Sequence, residues 1–250
     1  MSTLTITRIA HSTVLIDFDG SRILTDPWFS ERWGYYHGEP YGIPLGELPH
    51  LDGVLVSHNH YDHFDMDAFS AYPDKTVPFL VKRGIAGKAH KAGFANVTEM
   101  DAWETASLGS ITVTAAPGKH AVPEITYMLQ ANSNTVYFGA DTLFIPPLRD
   151  LTTRFPSVDV AILAVNGLRL RPLLNWQVVM NPREAAELCA ILKPRYAIPM
   201  HYAFTGGAFH NRFVIKRDGT PEQFAQAVAD LAPATTVCIL PPGRPLVLSD

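Results

Sequence analysis

Four potential metal ligands lie close together in this sequence, directly after the apolar run 54–56. They are His58, His60, Asp62 and His63. Two histidines that stand two residues apart at the end of a strand can direct both imidazoles at one cation, and the Asp-His pair that follows can reach a second. Burying these groups together without a cation would leave polar atoms unpaired. The spacing therefore predicts a site for two metal ions.

Three more polar residues stand at the ends of later strand-like segments. They are His120, Asp141 and His201. Taken singly, each would be interpreted as a turn or surface residue. A two-metal site needs more ligands than the first cluster supplies, however, and loops at strand ends tend to converge on one mouth of a fold. We therefore predict that these three residues complete the metal centre.

The segments that must position these residues alternate between strand-like and helix-like patterns. Predicted strands cover 5–9, 14–18, 21–25, 54–57, 77–81, 111–115, 125–130, 135–140, 158–165, 196–199, 236–240 and 245–248, and predicted helices cover 66–71, 84–92, 146–154, 182–192 and 221–231. The first three strands should form an antiparallel meander, with a turn at Asp19-Gly20. Because strands outnumber helices, the pattern predicts a layered α/β sandwich in which helices cover the outer faces of packed sheets.

Composition and charge limit the classes of partner. Of the 250 residues, 47% are hydrophobic and 18% are charged, as in ordinary globular proteins, and we predict one domain over residues 1–250. The formal net charge is −4 and there is no basic run, so neither a nucleic acid nor an anionic membrane is a predicted partner. Without a signal sequence or a long apolar run, we expect a cytoplasmic protein that has no stable membrane association. The sequence leaves the oligomeric state open.

The order of the candidate ligands resembles the pattern of the metallo-β-lactamase superfamily. That pattern is His-x-His-x-Asp-His, then a single His, a single Asp and a last His, each after a strand. The segments 11–13, 24–28, 57–63 and 199–202 are most similar to the branch that contains ascorbate-6-phosphate lactonase and N-acylphosphatidylethanolamine phospholipase D. The resemblance covers nearly the whole chain and implies the four-layer αββα sandwich of the superfamily.

The resemblance also implies how two divalent metal ions would share the ligands. One ion would be bound by His58, His60 and His120, the other by Asp62, His63 and His201, and Asp141 would bridge the two. Asp26 would lie behind the ligands and orient them. His11 would be either a residue of the site rim or a structural residue. Imidazole-rich ligation suits zinc best, although manganese and iron accept the same ligands.

The predicted chemistry is hydrolysis by a hydroxide that bridges the two ions. Even one zinc ion can lower the pKa of a bound water from ~15.7 to roughly 7, so such a hydroxide could attack a carbonyl carbon or a phosphorus atom. The charge of the ions exceeds that of the two carboxylate ligands and the hydroxide, so the site would attract anions. We therefore predict a hydrolase for a small anionic ester, phosphodiester or lactone. Its catalytic residues would be Asp62, Asp141 and His210, the last as a candidate proton donor.

Two segments are candidates for substrate recognition. Residues 26–41 are rich in aromatic side chains, which could line an apolar pocket or merely pack the loop onto the domain. Arg169 and Arg171 follow a strand end, where they could bind a phosphate or carboxylate or lie in a solvated loop.

Two other functions remain open. A nucleic-acid-processing metallo-nuclease could use the same centre, although the lack of a basic run disfavours it. A metal-stabilised binding protein could hold the same ions without turning over a substrate.

Overall fold

Two large β-sheets form the centre of the structure, a computed structural model that describes residues 2–249. The strands of the described chain are β1 (Thr3–Ala10), β2 (Thr13–Phe18), β3 (Ser21–Thr25), β4 (Gly53–Val56), β5 (Phe79–Lys82), β6 (Val97–Met100), β7 (Thr105–Leu108), β8 (Ile111–Pro117), β9 (Ile125–Ala131), β10 (Asn134–Phe138), β11 (Val160–Ala164), β12 (Arg169–Leu170), β13 (Trp176–Gln177), β14 (Tyr196–Met200), β15 (Ile215–Lys216), β16 (Thr236–Val237) and β17 (Pro245–Ser249). The first sheet has the order β17–β1–β2–β3–β4–β5–β6 and the second the order β16–β14–β11–β10–β9–β8–β7. A small third sheet has the order β13–β12–β15.

Helices connect many of these strands. They are α1 (Met66–Phe69), α2 (Ala86–Lys91), α3 (Leu151–Arg154), α4 (Pro182–Leu192), α5 (Gly207–Phe213) and α6 (Pro221–Leu231), with 3-10 helices at Leu45–Glu47, Pro146–Asp150 and Arg171–Leu173. Both α4 and α6 have the predicted bounds, because Asn181 and Thr220 each begin a capping box ahead of a proline in the first turn. Within residues 2–249, no helix is both long enough and apolar enough to span a membrane.

Three apolar clusters establish the layers of the fold. The largest lies between the two seven-stranded sheets, the second between α4, α6 and the outer face of the second sheet, and the third between α1, α2 and the outer face of the first. Strand β11 contributes to two of them, since Ile162 faces the other sheet whereas Ala161 and Leu163 face the helices. Successive side chains of a strand point to opposite faces, so a strand buried on both sides is apolar throughout. The predicted αββα sandwich is confirmed.

Strand direction brings several loops to one edge of the sandwich. The predicted meander β1–β2–β3 is antiparallel, and its turn at Asp19-Gly20 has φ values of 51° and 94°, which suit a type I′ turn. From β3 to β6 the first sheet is parallel. In the second sheet β8 runs in the same direction as β10, β11 and β14, because β9 is antiparallel to both β8 and β10. The C-terminal ends of these strands carry the candidate ligands.

Five strands and one α-helix of the described chain were not predicted from the sequence: β6, β7, β12, β13, β15 and α5. The 3-10 helices at Leu45–Glu47 and Arg171–Leu173 were not predicted either. Strands β6 and β7 lie at sheet edges and bury only Met100 and Leu108, so they lack the apolar pattern of an internal strand. The strands of the third sheet have two residues each, and α5 buries none of its residues fully. Hydrophobic periodicity is the main local signal of an element, so segments without it are missed.

Candidate metal centre

The predicted ligands come from both large sheets and meet at one edge of the sandwich. The first four follow β4, whereas His120 follows β8, Asp141 follows β10 and His201 follows β14. Six of the seven side chains are buried, and His60 is partly buried. The structure therefore brings all seven predicted ligand residues together.

Three histidines form one group of facing nitrogen atoms. The Nδ1 atom of His60 lies 3.0 Å from Nε2 of His58 and 3.2 Å from Nε2 of His120. Burial lowers the pKa of His120 to about 4 and holds the pKa of His58 well below its ordinary value. Both rings are therefore neutral near pH 7, which is the form of imidazole that binds a metal ion.

Asp62, His63 and His201 form a second group, with Asp141 between it and the first. The Oδ2 atom of Asp141 lies 2.8 Å from Nε2 of His201 and 3.2 Å from Nε2 of His63. The same oxygen is 3.8 Å from Nε2 of His120 in the first group. Asp62 is more distant, with Oδ2 at 4.0 Å from Nε2 of His63. The carboxylate of Asp141 therefore has the central position that a bridging ligand requires.

The chemistry of these donors fits divalent cations. The buried Oδ1 atoms of Asp62 and Asp141 and the Nε2 atoms of His63 and His201 have no hydrogen-bond partner among the described residues, which is costly for groups removed from water. Burial alone would lower the pKa of His63, but the carboxylates of Asp141 and Asp26 raise it well above its ordinary value. The surroundings of His63 therefore stabilise positive charge. Imidazole and carboxylate groups are also the donors that divalent metal cations bind in proteins.

Further polar groups fix the orientation of the ligand rings. Asp26 follows β3 and accepts a hydrogen bond from Nδ1 of His63 at 2.7 Å, while the backbone N–H and the hydroxyl of Ser57 donate to its two oxygens at 2.8 and 2.7 Å. The carbonyl oxygen of Val178 accepts from Nδ1 of His120 at 2.7 Å. Such bonds select the tautomer whose Nε2 is free to bind a metal. The contacts of Asp26 thus agree with its predicted orienting role.

Glu124 is a buried carboxyl group at the centre that the sequence patterns did not reveal. Its Oε2 atom accepts a hydrogen bond from the backbone N–H of Asp141 at 3.1 Å and lies 3.3 Å from Nδ1 of His58. Burial, together with the charge of Asp141, raises the pKa of Glu124 well above its ordinary range. The only sequence signal was an acidic residue directly before the apolar strand β9.

His11 lies inside the centre, and of the two roles left open for it, rim or structural residue, its burial favours the structural one. The side chain is fully buried, its ring centroid lies 4.0 Å from that of His201, and its Nε2 atom lies 3.4 Å from Oδ2 of Asp62. Burial, reinforced by the charge of His201, lowers the pKa of His11 to about 3. A ring nitrogen of His11 lies within 4.8 Å of the ligand atoms of Asp62, His63 and His201. The chain turns sharply after β1, which directs this side chain inward.

Backbone strain occurs at the same edge. Positive φ values occur at His11 (52°), Asp26 (37°), Ala140 (45°) and His201 (66°), all of which follow strands that end at the centre. Non-glycine residues seldom adopt this conformation, which costs on the order of 1–3 kcal/mol at each position. Strain of this kind persists where the surrounding structure imposes it, and it is typical of functional sites.

A cavity of about 270 Å³ opens above the donor groups. Its lining includes five of the predicted ligands, together with Tyr35, Phe204 and His210. The Nδ1 atom of His210, the predicted proton donor, is buried and has no hydrogen-bond partner among the described residues. Gly34 permits this placement, because a Cβ atom added there would lie 2.8 Å from Cε1 of His210. The side chain is therefore positioned to face a bound substrate.

The two arginines that were candidates for anion binding do not line the cavity. Arg169 forms an ion pair with Asp218 at 3.3 Å and donates to the side chain of Gln177. Arg171 donates through Nε to the carbonyl oxygen of Ile215 at 2.9 Å. Among residues 2–249, no lysine or arginine lines the cavity. The structure thus provides no contact through which either arginine would bind an anion there.

The aromatic segment 26–41 divides between packing and the site, as expected. Trp28 is buried and stacks on His37 with ring centroids 3.6 Å apart, so it holds the loop against the domain. Tyr35 lines the cavity. Trp33 is 70% exposed, and its ring centroid lies 4.3 Å from that of His210 at the cavity mouth.

Comparisons with known proteins give relatives over most of the chain. An uncharacterised protein of Mycobacterium tuberculosis is 28% identical over 205 residues, which are 74% of this chain and 54% of that protein, so the chain spans about half the length of this relative. A UPF0173 metal-dependent hydrolase of Caldivirga maquilingensis is 28% identical over 245 residues, or 96% of each chain. The N-acyl-phosphatidylethanolamine-hydrolyzing phospholipase D 1 of Caenorhabditis elegans is 26% identical over 224 residues, covering 78% of this chain and 63% of that protein.

Solved structures share the fold, and a family model identifies the family. A metallo hydrolase of the archaeon Ignicoccus hospitalis has a TM-score of 0.76 at 19% identity, with 99% of each chain covered, and at this identity the likeness concerns the fold alone. The model described as a β-lactamase superfamily domain matches residues 21–202, which is more than half of the chain. The match therefore places this chain in the metallo-β-lactamase superfamily.

Proposed function

We propose that this protein is a dinuclear metal-dependent hydrolase that cleaves an ester, lactone or phosphodiester bond of a small molecule. The observation that carries the proposal is the pair of donor groups that share Asp141 at the floor of a cavity. The Caldivirga maquilingensis relative, which is named as a metal-dependent hydrolase, supports the same reaction type. The modest volume of the cavity above the donors favours a small substrate over a polymer.

We assign each donor residue a role in holding the ions. His58, His60 and His120 would hold one ion, Asp62, His63 and His201 the other, and Asp141 both. Divalent cations bound there would polarise the scissile group and supply a water that is acidic near neutral pH. Zinc suits this imidazole-rich set best, and manganese or iron would also be accepted.

Groups around the centre prepare the ligands for this task. Asp26 keeps the Nδ1 atom of His63 protonated, so that the Nε2 atom of this ring faces the centre. The Val178 carbonyl does the same for His120. His11 lies beside Asp62 and His201 and limits the positions their side chains can take. The ligands are therefore preorganised, which reduces the cost of binding and of reaction.

We assign the leaving group's proton to His210. Its ring lines the cavity and is held edge-on by Trp33. An imidazole can donate a proton near neutral pH, and donation to the leaving oxygen lowers the barrier to bond cleavage. His210→Gln should therefore slow the hydrolysis of substrates with poor leaving groups much more than the hydrolysis of activated nitrophenyl esters.

The test is a turnover screen of metal-loaded protein with four substrate classes: a nitrophenyl carboxylate ester, bis(p-nitrophenyl) phosphate, a lactone and a thioester. We expect turnover of at least one class, lost on chelation and restored by zinc or manganese. His60→Ala should abolish it, whereas the control His50→Ala, at an exposed position outside the centre, should not. Metal-replete protein that turns over none of the four would support the binding-protein alternative instead.

A further inference from the structure

The wall of the cavity differs in character from its floor. The floor carries the metal donors, whereas the wall is formed largely by Leu168, Leu170, Val178, Phe204, Val214 and Ile215. At about 270 Å³, the cavity is near the lower end of the roughly 300–1,000 Å³ that is usual for small-molecule sites. The part of a substrate that leaves the floor must therefore contact apolar side chains.

The register of the third sheet extends this apolar wall to the surface. Leu170 of β12 pairs with Trp176 of β13 on one side and with Ile215 of β15 on the other. Residues that are directly opposite in antiparallel strands place their side chains on the same face of a sheet. Leu170 and Ile215 line the cavity, so Trp176, which is 42% exposed, continues the same face outward. We call these three residues the apolar strip.

A second part of the cavity mouth, around His210, is also apolar. Trp33 lies against His210, and its ring centroid is 6.1 Å from that of Phe209, which is 55% exposed. Among residues 2–249, eight large hydrophobic side chains are exposed, and six of them lie in loop 26–41, hairpin 169–177 or α5, the segments around this mouth. Single exposed apolar residues are ordinary on protein surfaces, but a cluster of them at one site marks a binding surface.

Charged groups are directed away from the same path. Arg169 precedes Leu170 in β12, so its side chain points to the other face of the third sheet, where it pairs with Asp218. The cavity wall in the described chain has no lysine or arginine that could neutralise a substrate carboxylate or phosphate. An anionic group could be stabilised at the metal donors, but it would be poorly solvated along the strip.

We propose that the substrate carries an uncharged apolar group next to its scissile bond, an alkyl or acyl chain or an aromatic ring, and that this group lies along Leu170, Ile215 and Trp176. The inference rests on the proposed function, because it takes the metal donors as the position of the scissile bond. It narrows the substrate class to a small ester, lactone or phosphoester with an apolar substituent.

The test measures binding separately from turnover. Calorimetry with metal-loaded protein gives the affinity for methyl-, butyl- and hexylphosphonate. The fourth probe is a hexylphosphonate whose chain carries a carboxylate at the end far from the phosphonate. We expect affinity to rise about fourfold for each methylene that leaves water, and the carboxylate-ended chain to bind more weakly than hexylphosphonate. Trp176→Ala should weaken the binding of hexylphosphonate about tenfold and leave the affinity for methylphosphonate unchanged. Trp176→Phe should restore most of the lost affinity. Val247→Ala, on the exposed edge strand β17, is the matched control.

The outcomes separate this inference from the proposed function. Affinity that does not depend on chain length, or that is highest for the carboxylate-ended chain, would overturn the proposal that the apolar strip binds the substrate. The same dependence of affinity on chain length in Trp176→Ala as in the unmodified protein would also overturn it. Nitrophenyl esters whose acyl chains have the same lengths are then assayed for hydrolysis. Chain-dependent binding without turnover of these esters or of any of the four substrate classes above would refute the hydrolase and leave the apolar site standing. Turnover without chain dependence would refute the apolar site alone.

Discussion

Replacing Asp26 with asparagine tests whether a group behind the ligands controls the second donor group. The Asp26 carboxylate accepts three hydrogen bonds, from the backbone N–H of Ser57 at 2.8 Å, from its hydroxyl at 2.7 Å and from Nδ1 of His63 at 2.7 Å. Asparagine has the same shape and can keep the first bond through its oxygen. Its NH₂ group would then face the His63 ring, so two donors would meet where a donor and an acceptor now pair.

The consequence for His63 sets the size of the effect. To accept a hydrogen bond from the new amide, Nδ1 of His63 must lose its proton, and the proton then resides on Nε2, the atom that faces the centre. Substitutions of such orienting groups usually lower metal affinity by about 10- to 100-fold, or about 1.4–2.7 kcal/mol. We expect a loss of this size at the second group and a smaller one at the first, because Asp26 reaches the first group indirectly, through the Ser57 hydroxyl that lies 2.7 Å from Asp26 and 2.9 Å from Nδ1 of His58.

The assay is a zinc titration of metal-free protein against a chelating dye, fitted with two binding constants. Asp17→Asn is the matched control, because Asp17 pairs with Arg22 on strands β2 and β3 and is partly exposed. Circular dichroism should give the same spectrum for both variants and the unmodified protein. Two unchanged constants in Asp26→Asn would refute the argument that this carboxylate sets the tautomer of His63.

Three further predictions concern the metal content, the shared carboxylate and the arginines. Elemental analysis of protein purified without chelator should give close to two metal ions per chain, and a ratio well below one that zinc or manganese does not restore would contradict the dinuclear centre. Asp141→Ala should lower turnover by more than about 100-fold at limiting metal while the circular dichroism spectrum stays native, because this residue contacts both donor groups, and wild-type turnover would remove Asp141 from the centre. Joint replacement of Arg169 and Arg171 by alanine should leave kcat and KM within about twofold, since neither side chain lines the cavity, and a strongly raised KM would show that they reach the substrate.

The sequence by itself determined the local features of this protein. The spacing of His58, His60 and Asp62 after an apolar run is local, and so are the Asp19-Gly20 turn and the helix starts at Asn181 and Thr220. Each depends on contacts within a few residues, for which backbone geometry and side-chain chemistry are sufficient. The strand-end positions of the later ligands followed from the same periodicity, and resemblance to a known superfamily supplied their order.

The tertiary structure alone decided which distant groups surround those ligands. Glu124 meets His58 only because β9 and β4 belong to facing sheets, and His11 enters the second donor group only because the chain turns sharply after β1. Both contacts join residues far apart in sequence, so no local pattern encodes them.

Sheet register likewise decided the character of the cavity. A shift of one residue would exchange Leu170 for Arg169 on the face that lines it, because successive side chains of a strand alternate between faces. The sequence placed an arginine and a leucine side by side near the site, and it could not tell which of them a substrate would meet. The pairing of β12 with β13 and β15 presents the leucine, and with it an apolar wall in place of the anion contact that the sequence suggested.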